Sequence, residues 1–275
     1  MTPAQLVCRI FPPRGGQGPD VADAATPAEL HNGRLLRLEA PFTNLAFNLG
    51  NFYALFAIQL GASNAVVGWL TSGPALISLL WVLPCGQIIQ RSKSYLYPMF
   101  IGALGHRLLM MLMALAPLAP AGQGAWVVVA LATASAVPAA LWGLSFHSIA
   151  GEIFAPRHRA RFVGQRWAVA NISGVLTMFA LGFLLDLLPF PTNFQVMFLG
   201  APLLAMVTLF LVARLRLPAR EPTAPATPRA RLALSELWAQ ARRYRAFVWF
   251  QVSILLGHGA LFFAAPLFRI YWVRD

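Results

Sequence analysis

Seven mostly apolar stretches run through the chain, each near the ~20 residues a helix needs to cross the hydrocarbon core of a bilayer. They are Pro41–Leu60, Ala65–Ile88, Tyr95–Pro117, Ala125–Ser148, Trp167–Leu188, Phe194–Ala213 and Phe247–Val273. Proline falls inside several of them, at Pro74, Pro84, Pro138, Pro202 and Pro266. Membrane helices tolerate this because neighbouring groups re-satisfy the freed carbonyls. The polar stretches between them alternate in charge. The connections "GASN" and "LAPAGQG" carry none, and "DLLPFPTN" carries only Asp186. The tail before the first stretch, and the second, fourth and sixth connections, hold 18 of the 21 basic residues.

This pattern predicts an all-α polytopic membrane protein. A disordered tail is expected over residues 1–40, a six-helix transmembrane domain over 41–213, a basic linker over 214–245 and a seventh transmembrane helix over 246–275. Within the linker, "LPAREPTAPATPRAR" has the composition of a stiff, irregular segment. In "LSELWAQARRYRAF", Leu234, Leu237, Trp238 and Ala241 share one helical face opposite arginines, the pattern of a helix lying in the membrane interface. The bias of basic residues toward one side predicts a cytoplasmic N-terminus in the cell (inner) membrane.

Composition agrees. The chain is 58% hydrophobic and 11% charged, against about 25% charged in a soluble domain. Its net charge of +12 therefore reflects topology, and nucleic acid is not an expected partner. Cys8 and Cys85 form no metal-binding spacing or disulfide framework. The chain has no phosphate-binding loop, no Gly-x-Ser-x-Gly elbow and no HExxH. Neither an enzyme nor a cofactor or metal site is expected. The only lysine, Lys93, lies in a connection, so no span can form a retinal Schiff base.

The topology resembles the front half of a major facilitator superfamily (MFS) transporter followed by the first helix of the second half. The resemblance covers roughly residues 41–275. In the second connection, "GQIIQRSKS", Gly86, Ile88 and Arg91 match the family motif, while Gln90 replaces its Asp and Lys93 its second Gly. In the fourth, "GEIFAPRHRARFVGQR", Glu152, Pro156, Arg159 or Arg161, and Gly164 look like the family's acidic–Pro–Arg–Gly pattern. The fifth span has Gly174 and Gly182 but lacks the Gly-Pro pair of the antiporter signature. The resemblance implies gradient-driven transport of a small solute by alternating access. Organic anions and drug-like compounds are candidate classes. It also implies the lipid bilayer as partner, and either a missing second half or a second copy. A non-transporting relative that helps assemble another membrane complex is the alternative.

Four residues are candidates for solute binding: Asn48, Asn51, Arg107 and His258. Asn44, Asn48 and Asn51 are spaced i, i+4, i+7 and share one helix face, which must look toward protein or water. Interhelical bonding and a solute pathway both fit such a stripe. Arg107 stands twelve residues after Tyr95, about 18 Å deep. A charge at that depth marks a candidate functional site. Of the nine acids, Glu39 is counted with the tail and none is placed at mid-depth. That leaves helix carbonyls, amides, water, a missing half or an anionic solute as partners for Arg107. His258 and His106 are residues able to take up protons near neutral pH. Gly86, Arg91, Glu152 and Arg161 are the gating candidates, with an Arg91–Glu152 ion pair expected. The simpler reading of the loop arginines is topology and headgroup contact.

Overall fold

A computed structural model describes residues 24–218 and 248–257, with isolated positions 244, 246 and 259. Eight helices lie in the first range: α1 (Pro27–Asn48), α2 (Tyr53–Gln59), α3 (Asn64–Arg91), α4 (Leu96–Leu112), α5 (Gly124–Ile153), α6 (Pro156–Leu187), α7 (Thr192–Ala205) and α8 (Val207–Ala213). A 3₁₀ turn, Leu49–Phe52, joins α1 to α2, and another, Met113–Leu118, extends α4. A further apolar helix, Val248–Gly257, lies within the expected seventh span. The interfacial helix expected near 234–241 lies outside the described residues.

Among the described residues, five helices are long and apolar enough to cross a membrane: Asn64–Arg91, Leu96–Leu118, Gly124–Ile153, Pro156–Leu187 and Thr192–Ala213. The first expected span, Pro41–Leu60, falls on α1, the 3₁₀ turn and α2.

The disordered tail expected over 1–40 is corrected for residues 27–40, which are helical. Their start follows from "TPAEL". Thr26 accepts the Glu29 N–H, the Glu29 carboxylate accepts the Thr26 N–H at 2.8 Å, and Pro27 occupies the first helical position. This reciprocal cap satisfies two otherwise orphaned donors, and proline is pre-organised for that site. α6 likewise begins at Pro156, eleven residues before the expected Trp167.

α5 packs along α3 and α4, while α1 packs along α6 and the α7–α8 run. Between α4 and α5 the backbones nearly touch. A Cβ on Gly102 would lie 2.6 Å from the Trp142 nitrogen and 2.7 Å from the Pro138 oxygen. Small residues at such crossings are the usual membrane solution, because close packing drives association there. One apolar cluster centres on Phe56, Phe194 and Phe198, and a second on Phe146, Phe154 and Phe162. The outer faces of α3 and α6 expose Leu79, Leu80, Leu83, Leu176, Phe179 and Phe183.

Candidate functional site

The polar residues of α1 meet α6 in a ladder. Arg37 donates to Gln165 Oε1 at 2.6 Å, and Arg166 Nε to Glu39 Oε1 at 2.7 Å. Asn44 donates to the Ala170 carbonyl, Asn48 to the Gly174 carbonyl at 3.5 Å, and Asn51 reaches Met178 Sδ at 3.7 Å. The partners stay 126 to 128 residues apart throughout. A constant offset means that α1 and α6 run parallel and in register. Gly174 is part of the device, since a Cβ there would lie 2.5 Å from Asn44 Nδ2.

The ladder's strongest rung is Glu39–Arg166, with side-chain exposures of 1% and 2%. Thr43 donates its hydroxyl to the other Glu39 oxygen. The Arg166 guanidinium lies 4.2 Å from the Phe146 ring centroid and 5.6 Å from that of Trp142, so its faces meet aromatic rings while its edge meets the carboxylate. This arrangement corrects the placement of Glu39 in a tail. The helix that begins at Pro27 carries it into the bundle.

Arg107 lies in the same layer. Arg166 is ten residues into α6 and Arg107 eleven into α4, about 15 Å and 17 Å along helices that start at the basic end. Arg107 is 1% exposed. Its Nε donates to the Ala205 carbonyl at 3.0 Å and its Nη1 to that of Ala103 at 2.8 Å. Glu39 acts on it electrostatically without direct contact. The expectation of no carboxylate at this depth is therefore corrected. Five buried polar atoms have no hydrogen-bond partner among the described residues: Arg159 Nε at the basic end and, nearer this layer, Arg107 Nη2, His106 Nδ1, Trp142 Nε1 and Ser145 Oγ. Phe47 joins two of these residues, stacking on His106 at 4.6 Å and tilting against Trp142 at 5.2 Å.

Further along α1 the ladder opens into a cleft of about 480 Å³, lined by Asn44, Asn48, Asn171, Gly174, Met178 and Phe179 among others. Its amides combine donors and acceptors with a thioether and an aromatic ring. Such a surface suits a small solute with both polar and apolar parts.

At the basic end the expected Arg91–Glu152 pair does not form, and Glu29 ties α1 to the start of α6. Arg91 and Glu152 are exposed, and among the described residues they form no ion pair. An exposed pair gains little in water. Glu152 lines a separate cleft with Lys93 and Tyr95, and Gly86 borders open space. Arg161 is exposed beside Arg37. Glu29 instead accepts the Ala155 N–H at 2.8 Å, and His158 Nδ1 lies 3.3 Å from both its oxygens. Burial alone would raise the Glu29 pKa. Hydrogen bonds from the Ala155 and Thr26 backbones, then from His158 and the Thr26 hydroxyl, override it and hold the pKa at about 2. Asn32 clamps the chain after α8, donating to the Arg216 carbonyl at 2.8 Å and accepting its N–H at 2.9 Å.

The structure thus brings Asn48 and Asn51 onto one face against α6 and puts Arg107 behind it. His258 lies outside the described residues. Sequence reasoning missed Glu39, Arg166 and Glu29. The signal for Glu29 and Glu39 was the Thr-Pro-x-Glu cap, which sets where α1 starts, and for Arg166 it was Pro156 at the first position of α6.

No curated protein and no solved structure matches the chain. The model of a family described as Major Facilitator Superfamily matches residues 42–271. With that match covering most of a chain whose long apolar helices fit a multi-pass membrane protein, the protein belongs to the major facilitator superfamily, a superfamily of membrane transporters.

Proposed function

We propose that the protein moves a small solute by alternating access, with the amide-lined cleft between α1 and α6 as part of the solute path. The observation that carries this reading is the cleft itself. Asn44 and Asn48 of α1 line an open surface together with Asn171 of α6, a helix otherwise apolar enough to span a bilayer. Amides facing lipid would be costly, so that face looks toward a water-filled path or more protein. Asn48 and Asn51 are the proposed solute contacts in the described residues. His258 stays a proposed contact from its place in the expected seventh span. Arg107 acts on the solute through charge, because its guanidinium is tied to two carbonyls.

An organic anion is the solute class best supported. The ionic layer holds Arg107 and Arg166 against the single carboxylate of Glu39, which leaves one positive charge in excess. Six spans, a cytoplasmic N-terminus and a pairing of this half-bundle with a second half or a second copy complete the reading. Alternating access requires two bundles that rock about a shared site.

The test is uptake and efflux of radiolabelled organic anions and drug-like compounds by the full-length protein in proteoliposomes. Asn48→Ala, Asn51→Ala and Arg107→Gln are compared with the wild type. The reading expects transport to fall in the asparagine variants and anion selectivity to weaken in Arg107→Gln. Unchanged transport in all three would overturn the site assignment.

A further inference from the structure

The basic end carries a second recess, independent of the amide cleft. It has a volume of about 320 Å³ and is lined by Leu30 and Arg37 of α1 and by Arg161, Phe162 and Gln165 of α6. Two of its five lining residues are arginines and none is acidic. Arg34, exposed on α1, stands three residues before Arg37 and so on the same side of the helix. Neighbouring charges are committed elsewhere. Glu29 is occupied by Thr26, Ala155 and His158, and Arg159 donates to the Gly151 carbonyl at 2.6 Å.

The floor of the recess is rigid. Phe162 stacks on Phe154 at 4.6 Å and packs so tightly on Gly33 that a Cβ there would lie 2.5 Å from the ring. Arg37 is held by Gln165 Oε1 at 2.6 Å, which fixes its guanidinium at the wall and leaves the Gln165 amide N–H groups as further donors. Arg161 projects from the rim with its side chain exposed. The recess therefore presents one fixed guanidinium, one exposed guanidinium and an amide donor, with no acceptor charge among them. Arginine forks match phosphate oxygens in just this way.

We propose that this recess binds the phosphate of an anionic phospholipid headgroup. A phosphate could also come from solution, but the surroundings favour the lipid. Leu30 is 46% exposed at the recess, and Leu38, in the next part of the helix toward the apolar region, is 59% exposed. Apolar side chains beside a basic pocket at a span's end supply a seat for an acyl chain as well as for a headgroup. Arg161 is thereby a lipid contact.

The experiment is native mass spectrometry of the full-length protein in detergent, with phosphatidylglycerol, phosphatidylcholine and inorganic phosphate as probes. The wild type is expected to retain phosphatidylglycerol in preference to phosphatidylcholine. Arg161→Gln should weaken that retention about fivefold, the effect of one surface-proximal arginine. Arg161→Lys should keep most of it, and Lys93→Gln, which removes one charge elsewhere at the same end, should leave it unchanged. Arg161 is exposed, so its replacement does not threaten folding, and thermal unfolding of each variant checks this. Equal retention of the two lipids, or equal loss in Arg161→Gln and Lys93→Gln, would overturn the proposal. Displacement of phosphatidylglycerol by millimolar inorganic phosphate would overturn the lipid as source.

Discussion

Two helix pairs in this bundle are joined by opposite means. α4 and α5 meet through small residues, with the backbone at Gly102 lying against Pro138 and Trp142. α1 and α6 meet through side-chain polar groups, from Glu29 at one end to Asn51 at the other. The first contact depends on shape and tolerates no added volume. The second depends on partners and tolerates no unpaired charge. Polar pairing also sets register, since each α1 group meets its partner at one constant offset, whereas a small-residue surface fixes distance alone. The amide cleft adjoins the polar pair, and the ionic layer joins that pair to α4 through Arg107.

Substitutions can break this contrast in order of size. The largest effect is expected from Glu39→Ala, which leaves Arg166 buried without its carboxylate. Loss of one partner of a buried pair costs about 3–5 kcal/mol, read as a lower unfolding midpoint in detergent. Replacing both partners, as Glu39→Met with Arg166→Leu, should recover much of that stability. Failure to recover would mean that the pair holds the register in a way packing cannot replace.

Next comes Gly102→Leu. Added volume at a packed contact costs about 1–3 kcal/mol, and because a Cβ there meets backbone, a result at the upper end is expected. The same change at Gly86, where nothing lies within 4 Å, should leave the unfolding midpoint nearly unchanged.

A smaller and pH-dependent effect is expected at Glu29. Its folded pKa is lowered to about 2 from 4.5, so its stabilisation is fully present above pH 4.5. It is lost as pH falls from there toward 2. Glu29→Gln should therefore destabilise the wild type at neutral pH, by about 1–2 kcal/mol from the weakened hydrogen bonds. It should also flatten the acid side of the stability profile. A variant that keeps the wild-type acid slope would remove Glu29 as its source. The smallest change is expected from Asn48→Ala, whose bond to the Gly174 carbonyl is long. Single interhelical hydrogen bonds in membrane proteins average about 0.6 kcal/mol. A measurable loss of transport with so small a stability change would mark Asn48 as a solute contact.

The amide stripe shows what spacing can and cannot tell. Asn44, Asn48 and Asn51 share a face because helix geometry requires it, and the sequence left interhelical bonding and a solute path both open. The structure gives each residue a partner on α6 and still leaves an open cleft beside two of them. The inward turn of Arg107 was equally legible, because a guanidinium amid apolar residues cannot face lipid. Its partner at Ala205 was not, since nothing local ties residue 107 to residue 205. Glu39 escaped for another reason. A search for apolar runs starts counting where charge stops, so it placed the first span at Pro41 and left the preceding helix in the tail.

What the sequence determined by itself was the five long apolar helices from Asn64 to Ala213, the alternation of basic and uncharged connections, and the helix caps. These depend on hydrophobic transfer and on hydrogen bonds within a few residues of each other. Tertiary structure alone decided that Arg166 pairs with Glu39, that α1 and α6 lie parallel in register, and that Glu29 meets Ala155 and His158 at the basic end. Those outcomes depend on which helix faces which. Groups more than a hundred residues apart must meet before either one's burial cost is offset, and no local pattern encodes that meeting.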